Sequence, residues 1–116
     1  MYLRKAMSQA DGIRPNAVDE ELKAQWLRDL DAKVAETMQV DEPEWKWPED
    51  QELLMPHPMD RVYVFWLCAM IDWAQLDMQL YQIDKAMYDE AWSEALAWWR
   101  RHNRPRVFGK GWRVEP

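Results

Sequence analysis

The sequence predicts an all-α fold: a small bundle of three to four helices built on an antiparallel αα-hairpin, with an extended C-terminal arm. Three observations carry that expectation. The strong apolar periodicities are helical and no β-alternating run stands out. Glycine occurs only at 12, 109 and 111, so the middle of the chain lacks the punctuation that many short strands need. Four of the seven prolines gather in one central stretch, between two long periodic regions.

The elements follow in order. Leu3, Ala6, Met7 and Ala10 repeat at helical spacing, and Gly12 is placed to stop that helix as its C′ residue. A helix so short is marginal alone and needs a surface to lie on. After Pro15 and Asn16, Asp19 is set to cap a helix over 19–38, with Glu20 and Glu21 at the positive end of its dipole. Leu22, Trp26, Leu30 and Val34 form its apolar stripe, widened by Leu27 and Met38, while Lys23, Arg28, Asp29, Lys33 and Glu36 fall mostly off it.

Residues 41–58 break the pattern, because Pro43, Pro48, Pro56 and Pro58 exclude a regular helix. Between Asp41 and Asp60 seven acids stand against a single base, Lys46. Loops of this length in compact domains are disordered or functional, and Trp45 and Trp47 argue against disorder. Two readings stay open. Either the two tryptophans staple the loop over the helices, or Trp45, Trp47, Glu49 and Asp50 form a lid or a contact with a neighbouring subunit.

From about 59 the signal is strongest. Val62, Phe65, Trp66, Ala69, Met70 and Trp73 follow helical spacing, and Tyr63, Leu67 and Ile71 make the helix apolar nearly all round, which places it at the centre of the core. Polarity rises at Gln75-Leu76-Asp77, where Asp77 is suited to cap a second helix running to about Asn103. Its stripe is Tyr81, Tyr88, Trp92, Ala95 and Trp99, with Leu80, Met87, Ala91 and Trp98 alongside. Neither Gly nor Pro marks the turn, so a single bent helix is the alternative to a hairpin over 59–103. The tryptophans at 26, 66, 73, 92, 98 and 99 are expected to serve mainly as core.

One domain of 116 residues, 48% apolar, can fill one core. The organisation expected is a helical bundle over 1–103 and a basic arm over 104–116. A lone Cys excludes an intrachain disulfide and fits a reducing compartment. The longest apolar run, Val62 to Ile71, is too short to cross a bilayer, and the N-terminus lacks the apolar stretch of a signal peptide, so the expectation is a soluble protein made in the cytosol with no membrane contact.

Charge is the least generic feature. Residues 100–116 sum to +5, which leaves −11 on the other 99. The arm carries Arg104, Arg106, Lys110 and Arg113 together with Phe108 and Trp112. Burying its few apolar side chains returns less than the entropy of ordering its backbone, so the arm is expected to take a fixed form only on a second surface. Nucleic acid is one candidate, with bases stacked on the aromatics and phosphates on the arginines. An acidic protein surface is the other, and the negative body favours it by repelling a polyanion.

Catalytic and metal-binding constellations are not evident. His57, His102 and Cys68 show no ligand spacing, Ser8 and Ser93 lie in no nucleophile motif, and Gly109-Lys110-Gly111 lacks the rest of a phosphate loop. The expectation is a non-enzyme with no catalytic residue, no metal and no cofactor.

Two stretches together resemble a known family. Pro15-Asn16, Asp19, Lys23, Trp26-Leu27 and Leu30-Asp31 make one. Leu53-Leu54-Met55-Pro56, Tyr63-Val64-Phe65-Trp66-Leu67, Ala69-Met70-Ile71-Asp72, Tyr81, Tyr88, Trp98-Trp99-Arg100-Arg101 and Arg104-Pro105 make the other. The pattern, over about residues 15–105, resembles the head–tail connector (adaptor, or head-completion) proteins of tailed bacteriophages. It departs from that family at Trp66 and Trp92, at Gln82-Ile83-Asp84-Lys85 and in the Gly-Lys-Gly-Trp-Arg tail. The resemblance implies a structural virion protein: a subunit of a homo-oligomeric, dodecameric ring beneath the portal protein, above tail-side neck proteins, extending a channel through which genomic DNA passes without sequence-specific binding. It also implies synthesis in a bacterial host's cytoplasm and location in the virion neck, with residues 104–116 docked on the portal or a neighbour. The alternatives are a partner-binding helical hairpin of the tetratricopeptide type, for which no internal repeat is found, and a nucleic-acid-binding regulator that uses the arm.

Overall fold

The computed structural model describes residues 1–103 and contains four helices: α1 (Leu3–Ile13), α2 (Glu20–Met38), α3 (Arg61–Ala74) and α4 (Met78–His102). The arm, with Arg104, Arg106, Phe108, Lys110, Trp112 and Arg113, lies outside the described residues.

α3 is the central helix, packed against each of the other three. Its position follows from its sequence: Val62, Tyr63, Leu67, Cys68, Ala69 and Ile71 point in several directions and are all buried. α3 and α4 form the hairpin. Asp72 lies near Asp84, Trp66 packs on Tyr88 with ring centroids 5.0 Å apart, and Arg61 pairs with Glu94. Numbering therefore falls on one helix as it rises on the other, and the bent-helix alternative is excluded.

The hairpin turns without glycine. Leu76 takes φ 59°, its N–H bonds to Trp73 O at 3.1 Å, and the Asp77 N–H bonds to Asp72 O at 2.9 Å. This is a Schellman ending with leucine in the left-handed position where glycine or asparagine is usual. α2 ends in the same way through Gln39, also at φ 59°. The caps at helix starts match expectation: the Asp19 carboxylate accepts from Glu21 N–H, and the Asp77 carboxylate accepts from Leu80 N–H.

Four expectations are corrected. Gly12 does not stop α1; it lies inside the helix, which ends at Arg14 because Pro15 disfavours a helical conformation in the residue before it. Leu22 is exposed, whereas Lys23 is buried, its ammonium held 2.9 Å from Asp11 at the end of α1. Met87 is exposed rather than alongside the core, and the buried line of α4 is Asp84, Tyr88, Ala91 and Ala95. The tryptophans are not mainly core. Among the described tryptophans only Trp26 is buried, Trp66 and Trp92 sit at the margin, and Trp73 is 54% exposed. The centre is mostly aliphatic, with Tyr63 the largest of its fully enclosed side chains.

The central loop is ordered against the helices. Tyr2 and Glu52 form an antiparallel bridge, flanked by Leu3 N–H to Gln51 O at 2.8 Å and Leu53 N–H to Met1 O at 2.9 Å. A buried carboxylate anchors the next residues. Asp31 on α2 accepts from Leu54 N–H at 3.0 Å and from the Tyr63 hydroxyl at 2.6 Å, and that hydroxyl accepts from Met55 N–H at 2.7 Å. Burial pushes the Asp31 carboxyl up from its ordinary value, against the lowering effect of these bonds.

Candidate functional site

Of the loop residues singled out in the sequence, Trp47 and Asp50 meet the start of α1, whereas Trp45 meets α2. Trp47 packs on the core margin with the Arg4 guanidinium 4.8 Å from its ring centroid, and Arg4 also donates to Pro48 O. Trp45 packs on the same margin, with Arg28 of α2 5.4 Å from its ring centroid. The aromatic pair thus staples the loop to α1 and α2. Asp50 is exposed, yet its Oδ1 accepts from Arg4 N–H at 3.0 Å. Tyr2 offers α1 no side-chain cap, so Asp50 supplies one from 46 residues away. Glu49 is exposed. The loop's acids are therefore carried on a fixed backbone. A shallow cleft of about 530 Å³ between Tyr2 and residues 43–52 holds Lys46 beside Glu44, Asp50 and Glu52, and gathers no set of donors for an anion.

A second cluster, absent from the sequence reading, joins α1, α3 and α4. Arg14, the residue that ends α1, grips Asp84 with both arms of its guanidinium, Nε to Oδ2 at 2.9 Å and Nη2 to Oδ1 at 3.1 Å. The same Nε lies 3.3 Å from Asp72 Oδ1 without a hydrogen bond. Asp72 is fully buried and neither of its oxygens has a partner. A carboxylate in that position is poorly solvated, so the neutral acid is favoured, with its O–H available to Asp84. Burial first, then the hydrogen bond and charge of Asp84, push the Asp72 carboxyl up to about 7, against the pull of Arg14. One turn earlier on α3 lies Cys68, its thiol pushed up to about 12 by burial. It is a core residue.

The third feature is apolar and uncovered. Around the hairpin turn Ile13, Trp73, Leu76, Met78, Ile83 and Met87 are all exposed, Leu76 to 82%. On α4, Leu80, Ile83 and Met87 follow at steps of three and four and so share one face, which Glu90 and Glu94 continue at the same spacing. That spacing was visible in the sequence. The adjoining face carries Tyr88 and Ala91 into the core, and periodicity alone did not separate the two.

His57 is exposed in the loop, and His102 bonds to Trp98 O at 2.8 Å at the end of α4. Among the described residues no group of three or more His, Cys, Asp or Glu is placed to hold a metal ion, and no helix is long and apolar enough to cross a membrane. Comparison with family models, with curated proteins and with solved structures finds no match to the chain.

Proposed function

We propose that the chain is a head–tail connector subunit: a structural virion protein that assembles as a ring beneath a portal protein and extends the channel for DNA. The observation that carries this reading is the division of charge, −11 on residues 1–99 and +5 on residues 100–116. A closed ring needs two different patches on each subunit, one meeting the other next door. A fixed acidic body and a basic, aromatic arm are two such patches. The negative body also suits a channel, because it repels phosphates and lets DNA pass without adhering.

The helical fold supports the reading by offering a rigid unit with little loop freedom. The central loop is stapled by Trp47, and its Asp50 is held by Arg4 N–H, as a subunit contact requires. The test is purification of the full chain with and without a portal protein from the genome that encodes it, followed by electron microscopy. The reading expects rings that stack coaxially on the portal. A chain that neither forms rings nor binds the portal refutes it.

A further inference from the structure

Lys33 turns away from the partners its own helix offers. On α2 it stands four residues after Asp29 and three before Glu36, spacings at which a lysine ordinarily pairs with a carboxylate. Among the described residues it has no ion pair, and Asp29 is engaged by the Gln25 amide at 2.9 Å. Its ammonium crosses instead to α4. It lies 4.4 Å from the ring centroid of Trp92 and 5.8 Å from that of Tyr88, and donates to the Tyr88 hydroxyl at 3.4 Å. A cation placed on two aromatic rings, with acids in reach, marks a surface that receives positive charge well.

That surface is built by the helices themselves. Tyr88 and Trp92, four residues apart on α4, have ring planes 23° apart and centroids separated by 6.4 Å. Trp66 of α3 packs on Tyr88, and its indole N–H donates to Trp26 O at 3.1 Å. Tyr88 is buried, and Trp66 and Trp92 pack against the core, so the rings keep their places without help from Lys33, whose side chain is exposed. The surrounding field also favours a cation. Asp29 and Glu36 flank Lys33 in sequence, Asp89 follows Tyr88, and residues 1–99 carry −11.

We infer that the ring pair of Tyr88 and Trp92, backed by Trp66, is a binding site for a small methylated ammonium cation of the choline type, which takes the place of the Lys33 ammonium. The inference goes beyond the connector reading and does not rest on it. Positive charge is selected by the negative ring faces and the neighbouring acids. Methylation is selected by hydration. A primary ammonium is compact and strongly hydrated, whereas methyl groups weaken that hydration and meet the ring faces as apolar surface. The resident cation is also easy to move. Its bond to the Tyr88 hydroxyl is at the long end for a hydrogen bond, and Glu36 stands ready one turn along α2 to pair with the displaced ammonium.

The test titrates the full chain, isotope-labelled at tryptophan, with choline chloride and follows the Trp92 indole N–H by nuclear magnetic resonance. Loss of one peak in Trp92→Phe assigns that resonance. A saturable shift is expected with choline, and none with dimethylbutanol, its neutral carbon analogue, or with sodium chloride at equal ionic strength. Phosphatidylcholine vesicles, which present the same headgroup on a surface, are expected not to pull the chain down. Lys33→Gln, at an exposed position, removes the resident competitor and is expected to tighten choline binding about two- to fivefold. Trp92→Leu is expected to abolish the choline shift at the Trp66 indole with helical circular dichroism unchanged. Absence of a saturable shift in the parent chain overturns the inference. So does an equal response to dimethylbutanol, a chain that binds the vesicles while ignoring free choline, or a Lys33→Gln variant that binds choline no better than the parent.

Discussion

Asp72 on α3 and Asp84 on α4 share a single guanidinium, that of Arg14, and only Asp84 receives its hydrogen bonds. Two acids and one base in a buried place leave one charge too many, and a proton on Asp72 removes it. The hairpin and the end of α1 are therefore joined by a cluster whose charge depends on pH.

The direction of that dependence follows from linkage. The folded Asp72 carboxyl, at about 7, binds its proton more tightly than the same group in the unfolded chain, near 3.8. The stabilising contribution is fully present below the unfolded value and is lost as pH rises through the folded one. Asp72→Asn keeps the neutral form at every pH. Urea unfolding is expected to show parent and variant similar near pH 3.5, with the variant gaining as pH rises through 4–7 and the more stable at pH 8. A variant less stable at both pH values would contradict the assignment.

Tyr63→Phe removes the hydroxyl that stands between Asp31 and the Met55 N–H. Both partners are buried, so each loses a bond that water cannot replace. The expected cost is about 2–3 kcal/mol in chemical denaturation, larger than the ~1 kcal/mol of an ordinary exposed hydrogen bond. Proteolysis within 51–55 should speed up in parallel.

Asp50 is exposed, and a change at such a position usually has little effect on stability. Here Asp50→Ala uncaps α1 and is expected to cost about 1 kcal/mol, whereas Glu49→Ala, one residue away at an exposed side chain, should be close to neutral. Thermal melts of the two variants side by side check the contrast.

Deletion of 104–116 is expected to leave the helical circular dichroism and melting of the body intact while abolishing ring formation, and with it attachment to the portal. A truncated chain that still assembles normally into virions would remove the arm from the assembly scheme.

The helices were legible because their signals are local. The stripe of α1, the Asp19 and Asp77 caps and the all-round apolarity of α3 each depend on neighbours three or four residues apart. What escaped was set by distant partners. Lys23 reads as a solvent-facing base until Asp11 is brought to it, and Arg14 reads as a linker residue until the hairpin presents Asp84 70 positions away. The turn at 75–77 was placed by its polarity and the Asp77 cap, but its left-handed backbone is not written in the leucine that adopts it. The same holds for Trp73 and Met87, whose spacing fits a buried face and an uncovered one equally well.

Cys68 gives the molecule a built-in reporter. It is the sole thiol, enclosed on the central helix and held in its unreactive form at neutral pH. Disulfide-exchange reagents should touch it only in the fraction of time that a neighbouring helix swings away, so the labelling rate reads out the opening of the hairpin. Followed across assembly, one chromophoric reaction would reveal whether joining a ring tightens the subunit or leaves it breathing as before.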